Sequence, residues 1–259
     1  MIGQKLLISE IGKQINNNTF PRFSIITGDG ERNEVVKYIA DSLNAIYVEI
    51  PDCKVDTIRT IIFNSYKVES VTVYNIQDAD SMSMQAKNAL LKVTEEPPNK
   101  AYFVMTLDDL NNTLPTIKSR GMIFQLEPYS RKELEQYCND ENVLKLAETP
   151  NDVDILKSYE AEQFYGFVSK VANNIATASG SNALKISQSI KMKDTEEAGY
   201  DLRMFWKAFC LVCMDNRWFK GLRLTSSYSS RLKTKSINRA MLFDAWIFDI
   251  REEWIDGNC

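Results

Sequence analysis

Residues 25 to 36, IITGDGERNEVV, set an apolar run ahead of Gly28-Asp29-Gly30 and a helix-like pattern, the layout of a loop that cradles phosphate. A working loop of the form G-x-x-x-x-G-K-[ST] brings backbone N–H groups up to the phosphates through its glycines. Its lysine neutralises them and its hydroxyl holds magnesium. Counted from Gly28, the last three of these positions are Asn33, Glu34 and Val35. A carboxylate in the lysine position repels the β- and γ-phosphates, and valine has no oxygen to offer a cation. The stretch is therefore either a degenerate nucleotide loop or a strand-to-helix turn that never held a ligand. No cofactor is expected on Gly28, Asn33, Glu34 or Val35.

Other chemistry is narrowed by what the 259 residues contain. With no histidine, Ser-His and Cys-His nucleophile pairs and most catalytic zinc sites are excluded. The five cysteines are scattered, and the close pair Cys210 and Cys213 lies in a stretch with helical periodicity. They are expected to be buried thiols, with no disulfide framework and no metal site. A net charge of −4 argues against nucleic-acid binding by the whole surface. The local candidate for DNA is SSYSSRLKTKSINR, with Arg231, Lys233, Lys235 and Arg239; the competing reading is a solvated loop entering a helix near Ser236. Apolar runs are short and the first residues lack a signal-peptide core, so a cytoplasmic protein away from membranes is expected.

The elements that must position these residues alternate in the first half. β-rich apolar runs at 23–27, 45–50, 71–76, 101–107 and 121–126 are separated by helical patterns, which implies a parallel sheet covered on both faces. In SMQAKNALLKVTEE, the residues Met84, Ala86, Leu90, Leu91 and Val93 supply an apolar face, and Pro97-Pro98 end the helix. Ser130 with Glu133 forms a capping box. Beyond it the pattern is helical throughout. One stripe runs through Phe164, Phe167, Val168, Val171 and Ile175, another through Leu202, Phe205, Trp206 and Phe209, and a third through Ile237, Met241, Ala245 and Phe248. TASGSNA and the serine-rich tract 225–230 are expected to connect helices.

Two motifs carry a resemblance. NALLKVTEEPP, Asn88 to Pro98, and LPTIKSRG, Leu114 to Gly121, closely resemble the clamp-loader branch of the AAA+ ATPases, in particular the delta-prime subunit of bacterial DNA polymerase III and its replication factor C relatives. The start, Ile2-Gly3-Gln4, and the segment Val143 to Leu156 are similar to the same family with less specificity. The family's acidic magnesium motif here reads Gln77-Asp78-Ala79-Asp80, so an amide replaces the metal-binding aspartate. The cysteine-rich zinc module of many relatives is absent, Cys53 alone falling in that interval.

The resemblance implies an α/β AAA+ domain over residues 1–126, a five-stranded parallel sheet with helices on both faces. A small helical lid over 127–162 and an all-α collar over 163–259 would follow. It implies a non-hydrolysing, stator-like subunit of a sliding-clamp loader, not itself an enzyme, in a hetero-oligomer with other loader subunits, the clamp and primed DNA. ATP and magnesium would sit in the partner subunits. Ser119-Arg120 matches the motif whose arginine enters a neighbour's ATP site, with Gly121 in place of the family's cysteine. Three further readings stay open: a nucleotide-binding or active loader ATPase, a helicase-loader-like adaptor, and a purely structural AAA+ remnant.

Overall fold

The computed structural model describes residues 3–190, 199–232 and 237–257; Ile2, Lys233, Lys235, Ser236 and Cys259 lie outside the described residues. The chain runs α1 (Lys5–Asn16), β1 (Phe23–Thr27), α2 (Arg32–Ser42), β2 (Ile46–Ile50), α3 (Val55–Ser65), β3 (Thr72–Ile76), α4 (Met84–Glu95), β4 (Ala101–Leu107), α5 (Pro115–Lys118) and β5 (Met122–Gln125). It continues as α6 (Arg131–Leu134), α7 (Glu141–Leu146), α8 (Pro150–Ser158), α9 (Ala161–Thr177), α10 (Gly180–Ser189), α11 (Leu202–Asp215), α12 (Phe219–Arg231) and α13 (Arg239–Gly257).

The five strands are all parallel, in the order β2-β3-β4-β1-β5, with Ile25 of β1 opposite Met105 of β4 and Ile123 of β5. Alternation along each strand divides the core in two. Phe23, Ile25, Tyr74, Ile76, Phe103 and Met105 face Ile58 of α3, Ala86, Leu90 and Val93 of α4, and Ile117 of α5. Ile26, Val73, Val104 and Phe124 face Leu7 and Ile11 of α1 and Val35, Val36, Ile39 and Ala40 of α2. Because both faces are covered, β1 and β3 are buried along their whole length, and their sequences are β-branched and aromatic rather than strictly alternating. The carboxyl ends of β1, β3 and β4 converge at one margin of the sheet, where α/β folds place their ligands.

The chain forms two compact units. One comprises residues 1–136 with Thr149–Asn151, and the other 137–148 with 152–259. The boundaries expected at 126 and 162 fall inside these units. In the second, Trp206 and Trp246 are fully buried, and Trp246 meets Phe205 and Phe209 edge to face. Its Nε1 donates to Thr225 Oγ1 at 3.1 Å.

Four expectations are corrected here. The serine-rich tract 225–230 is not a connection but the body of α12: Thr225 and Tyr228 are buried, and the Ser227 and Ser230 hydroxyls donate to the carbonyls of Leu224 and Ser227. Packing of one face overrides the modest helix propensity of serine. On α13 the expected face is the outward one. Met241 and Phe248 are exposed, and the core takes Leu242, Phe243, Trp246, Ile247 and Ile250, the overlapping stripe that buries the larger rings. Met84, at the first turn of α4, is exposed as well. The connection expected at TASGSNA is only two residues, Ala178 and Ser179.

Candidate functional site

At the end of β1 the loop turns through Gly28 and Gly30, both at positive φ (107° and 138°). A Cβ on Gly30 would lie 2.7 Å from the ring of Tyr129, which packs down on the loop. The positions where a nucleotide would need glycine, lysine and hydroxyl each have an internal role. Asn33 Oδ1 accepts from Asn75 Nδ2 at 3.0 Å, and the same amide group donates to Tyr47 Oη at 2.8 Å, tying the first turn of α2 to β3 and β2. Glu34 pairs with Lys37 at 2.7 Å. That hydrogen bond, with the carboxylate's charge, raises the Lys37 pKa above its usual value. Val35 is fully buried in the core between α2 and the sheet.

Arg32, a residue that reading the loop against its template left without a role, is the centre of the site. Its Nη1 donates to Gly28 O at 2.8 Å, and its Nη2 lies 2.5 Å from Asp108 and 3.7 Å from Asp78. The guanidinium thus joins the loop to the carboxyl ends of β3 and β4 while remaining largely shielded, at 16% exposure. Its position inside GDGERNEVV was the available signal.

The second motif is also committed internally. Gln77 bonds Glu49 through its side chain, and its N–H donates to Ile50 O at 3.0 Å. Asp78 adopts φ 45° and its N–H donates to Thr106 Oγ1 at 3.2 Å. Asp80 is buried, accepting from the N–H groups of Asp108 (2.7 Å) and Asp109 (3.1 Å) and from Asn112 Nδ2 (3.1 Å). That carboxylate holds the turn after β4. Among the described residues no cluster of acids, cysteines or histidines is arranged to hold a metal ion. Burial pushes the Cys210 thiol up to about 11 and the Cys213 thiol to about 12, so both stay protonated near neutrality.

Ser119 and Arg120 lie at the opposite end of the short helix α5, which Pro115 opens. Ser119 Oγ donates to Thr116 O at 3.1 Å. Arg120 donates through Nη1 to Thr116 O at 2.6 Å and pairs through Nη2 with Glu95, the last residue of α4. Its side chain is 30% exposed, so the cation is neither buried nor free. Gly121 follows because the ring of Phe23 is close: a Cβ there would lie 2.8 Å from it. The structure does not bring Arg120 together with the Gly28 loop as one site. Arg231 ends α12 with its guanidinium 4.5 Å from the Tyr228 ring centroid, and Arg239 opens α13.

Gln4 and its surroundings complete the N-terminal end. Its side-chain amide donates to Glu127 O at 2.7 Å and accepts from Glu127 N–H at 2.8 Å, acting as one more rung beyond β5.

The sheet order and its flanking helices are those of an AAA+ domain, followed here by a helical C-terminal region. Residues 7–130 match the family model described as DNA polymerase III, delta subunit. The chain is 33% identical over 107 residues to DNA polymerase III subunit gamma of Buchnera aphidicola subsp. Schizaphis graminum, covering 40% of this chain and 29% of that protein. It is 24% identical over 170 residues to replication factor C subunit 3 of Schizosaccharomyces pombe, covering 57% and 50%. The chain therefore spans half or less of the length of these relatives. Among solved structures, a DNA polymerase III gamma subunit-related protein of Thermotoga maritima aligns over 96% of this chain and 99% of its own, with TM-score 0.52 and 18% identity. The RuvB Holliday junction branch migration motor of the same organism aligns over 77% and 86%, with TM-score 0.52 and 15% identity. At those identities the structures speak for the fold. The sequence matches are to subunits of DNA polymerase III and replication factor C.

Proposed function

We propose that this chain is a non-hydrolysing, stator-like subunit of a sliding-clamp loader in DNA replication, delta-prime-like, that offers Arg120 to the ATP site of a neighbouring subunit. The observation that carries the first half is the internal commitment of every position a nucleotide would use: Asn33 to Asn75, Glu34 to Lys37, Val35 to the core, and Arg32 to Gly28 O and Asp108. Binding triphosphate would require breaking the Arg32 links and placing phosphate beside Glu34. Isothermal titration at millimolar ATP with magnesium is expected to give no binding. Micromolar affinity would instead favour a nucleotide-binding loader subunit.

The second half is carried by the half-exposed Arg120 at the surface end of α5. An arginine that stabilises charge on a transferred phosphoryl group contributes on the order of 10³ to 10⁵ in rate. In complexes rebuilt with Arg120→Ala, assembly is expected to persist while clamp- and DNA-stimulated ATP turnover collapses. Arg120→Lys is expected to fail too, since an ammonium lacks the planar fork of donors. Unchanged turnover with both variants would leave the subunit an architectural role alone. In this reading residues 127–162 act as a lid and 163–259 as a collar contacting other loader subunits, with the clamp and primed DNA held by the assembly. Co-purification with loader subunits separates it from a helicase-loader-like adaptor.

A further inference from the structure

The helical unit carries an acid-free basic tract. From Asn216 to Phe243 the sequence has seven lysines and arginines and no aspartate or glutamate, in a chain whose totals are 35 acids and 31 bases. Such segregation in a protein of net charge −4 concentrates positive potential on one surface. α12 shows how that surface is built. Gly221, Thr225 and Tyr228 face inward, where Trp218 covers Gly221 and Trp246 donates to Thr225. Lys220, Arg223, Ser227, Ser230 and Arg231 face out, all exposed or half-exposed. At 3.6 residues per turn they share an arc of roughly 100°, and the stripe is about 16 Å long.

We propose that this outward stripe of α12 binds the phosphodiester backbone of nucleic acid. Three exposed cations along one helix face are a side-chain set that contacts phosphate without reading bases. The groups around the stripe leave its charge available. Lys220 reaches Glu253 of α13 only at 4.0 Å, an exposed pair. Arg231 lies over the Tyr228 ring, whose hydroxyl bonds Asp249. Lys233 and Lys235 extend the tract in sequence beyond the described residues. The site includes Arg231, one of the four cations picked out in the sequence, but lies on a helix face rather than a loop. It stands independently of the loader reading.

The test is binding of the full chain to a short labelled DNA duplex by fluorescence anisotropy, between about 50 and 200 mM salt. Neutralising three phosphate contacts with Lys220→Gln, Arg223→Gln and Arg231→Gln together is expected to make the log–log salt slope shallower by about 2.7, and each single variant by about 0.9. The charge-conserving set Lys220→Arg, Arg223→Lys, Arg231→Lys is expected to keep the slope. Lys13→Gln, Lys132→Gln and Lys170→Gln, exposed cations elsewhere, serve as the control for net charge and are expected to leave the slope unchanged. The proposal is overturned by no binding at the lowest salt, by equal losses in stripe and control variants, or by capture of phosphatidylserine vesicles through the stripe without DNA binding. Single variants keep the result readable if the triple variant misfolds.

Discussion

At the scale of single residues, the phosphate loop is a structural knot whose side chains serve the sheet. Arg32→Ala would remove a hydrogen bond to Gly28 O and the ion pair with the exposed Asp108, loosening the loop from the end of β4. A loss of about 1–3 kcal/mol, read as a lower denaturation midpoint, is expected. ATP binding is not expected to appear, because Glu34 and Val35 remain. Gly121 gives a second residue-scale prediction. Restoring the cysteine of the resembling family, Gly121→Cys, would press Cβ to 2.8 Å from the Phe23 ring and 3.0 Å from Ile25. Overpacking of this kind costs about 1–3 kcal/mol, so the melting temperature should fall; an unchanged melt would mean that Phe23 yields at no cost. The wrong residues at 33, 34 and 35 were legible in the sequence, but their partners were not. Asn33 meets Asn75 of β3, itself tied to Tyr47 of β2, and Arg32 meets Asp108 just past β4, so these partners follow from strand order rather than from local spacing.

At the scale of elements, α8 is fastened by a buried carboxylate. Asp152 is fully shielded and pairs with Arg203 and Lys207 of α11, Lys207 also reaching Glu148, while the Glu148 N–H donates to Asp152 at 3.0 Å. Burial works to raise its pKa, but Lys207, Arg203 and the Glu148 N–H together hold it below the usual carboxylate range. A carboxyl whose folded pKa is depressed contributes stability above its unfolded value, about 3.9, and loses it as pH falls through the folded pKa. Asp152→Asn is therefore expected to lower the denaturation midpoint at pH 7, by about 3 kcal/mol, and the gap from wild type should narrow below about pH 4. A gap independent of pH would assign the effect to packing. The strands were legible to within a residue or two because β-branched and aromatic runs between turn residues have few alternative fates. α13 was not, since apolar residues at 241, 242, 243, 246, 247, 248 and 250 form two overlapping stripes. The choice between them rests on which rings fit against Phe205 and Phe209.

At the scale of the whole molecule, the two compact units decide where the chain can be cut. A fragment ending at Gln136 keeps both faces of the sheet covered and is expected to fold, with a cooperative melt by circular dichroism. A fragment ending at residue 162 is expected to aggregate. It retains Val143, Leu144, Leu146, Val153 and Leu156, all buried, but loses α11, against which α7 packs. Size-exclusion chromatography distinguishes the two, and a monodisperse longer fragment would refute the shared helical core. The tryptophans 206 and 246 are spent inside that core, and Met214, Phe219, Met241 and Phe248 are the large apolar side chains that the described residues of this unit leave exposed. Finally, Arg120 does not wait bare for a neighbour: it is already paired with Glu95 and the Thr116 carbonyl. Delivery to a phosphate, as proposed, would thus be an exchange of one anion for another. On the proposed reading, a doubly charged terminal phosphate would outcompete the single carboxylate, and a spent site, once that phosphate had left, would return the guanidinium to Glu95. The pair would act as a resting position that makes the subunit's grip on its neighbour depend on what the neighbour holds.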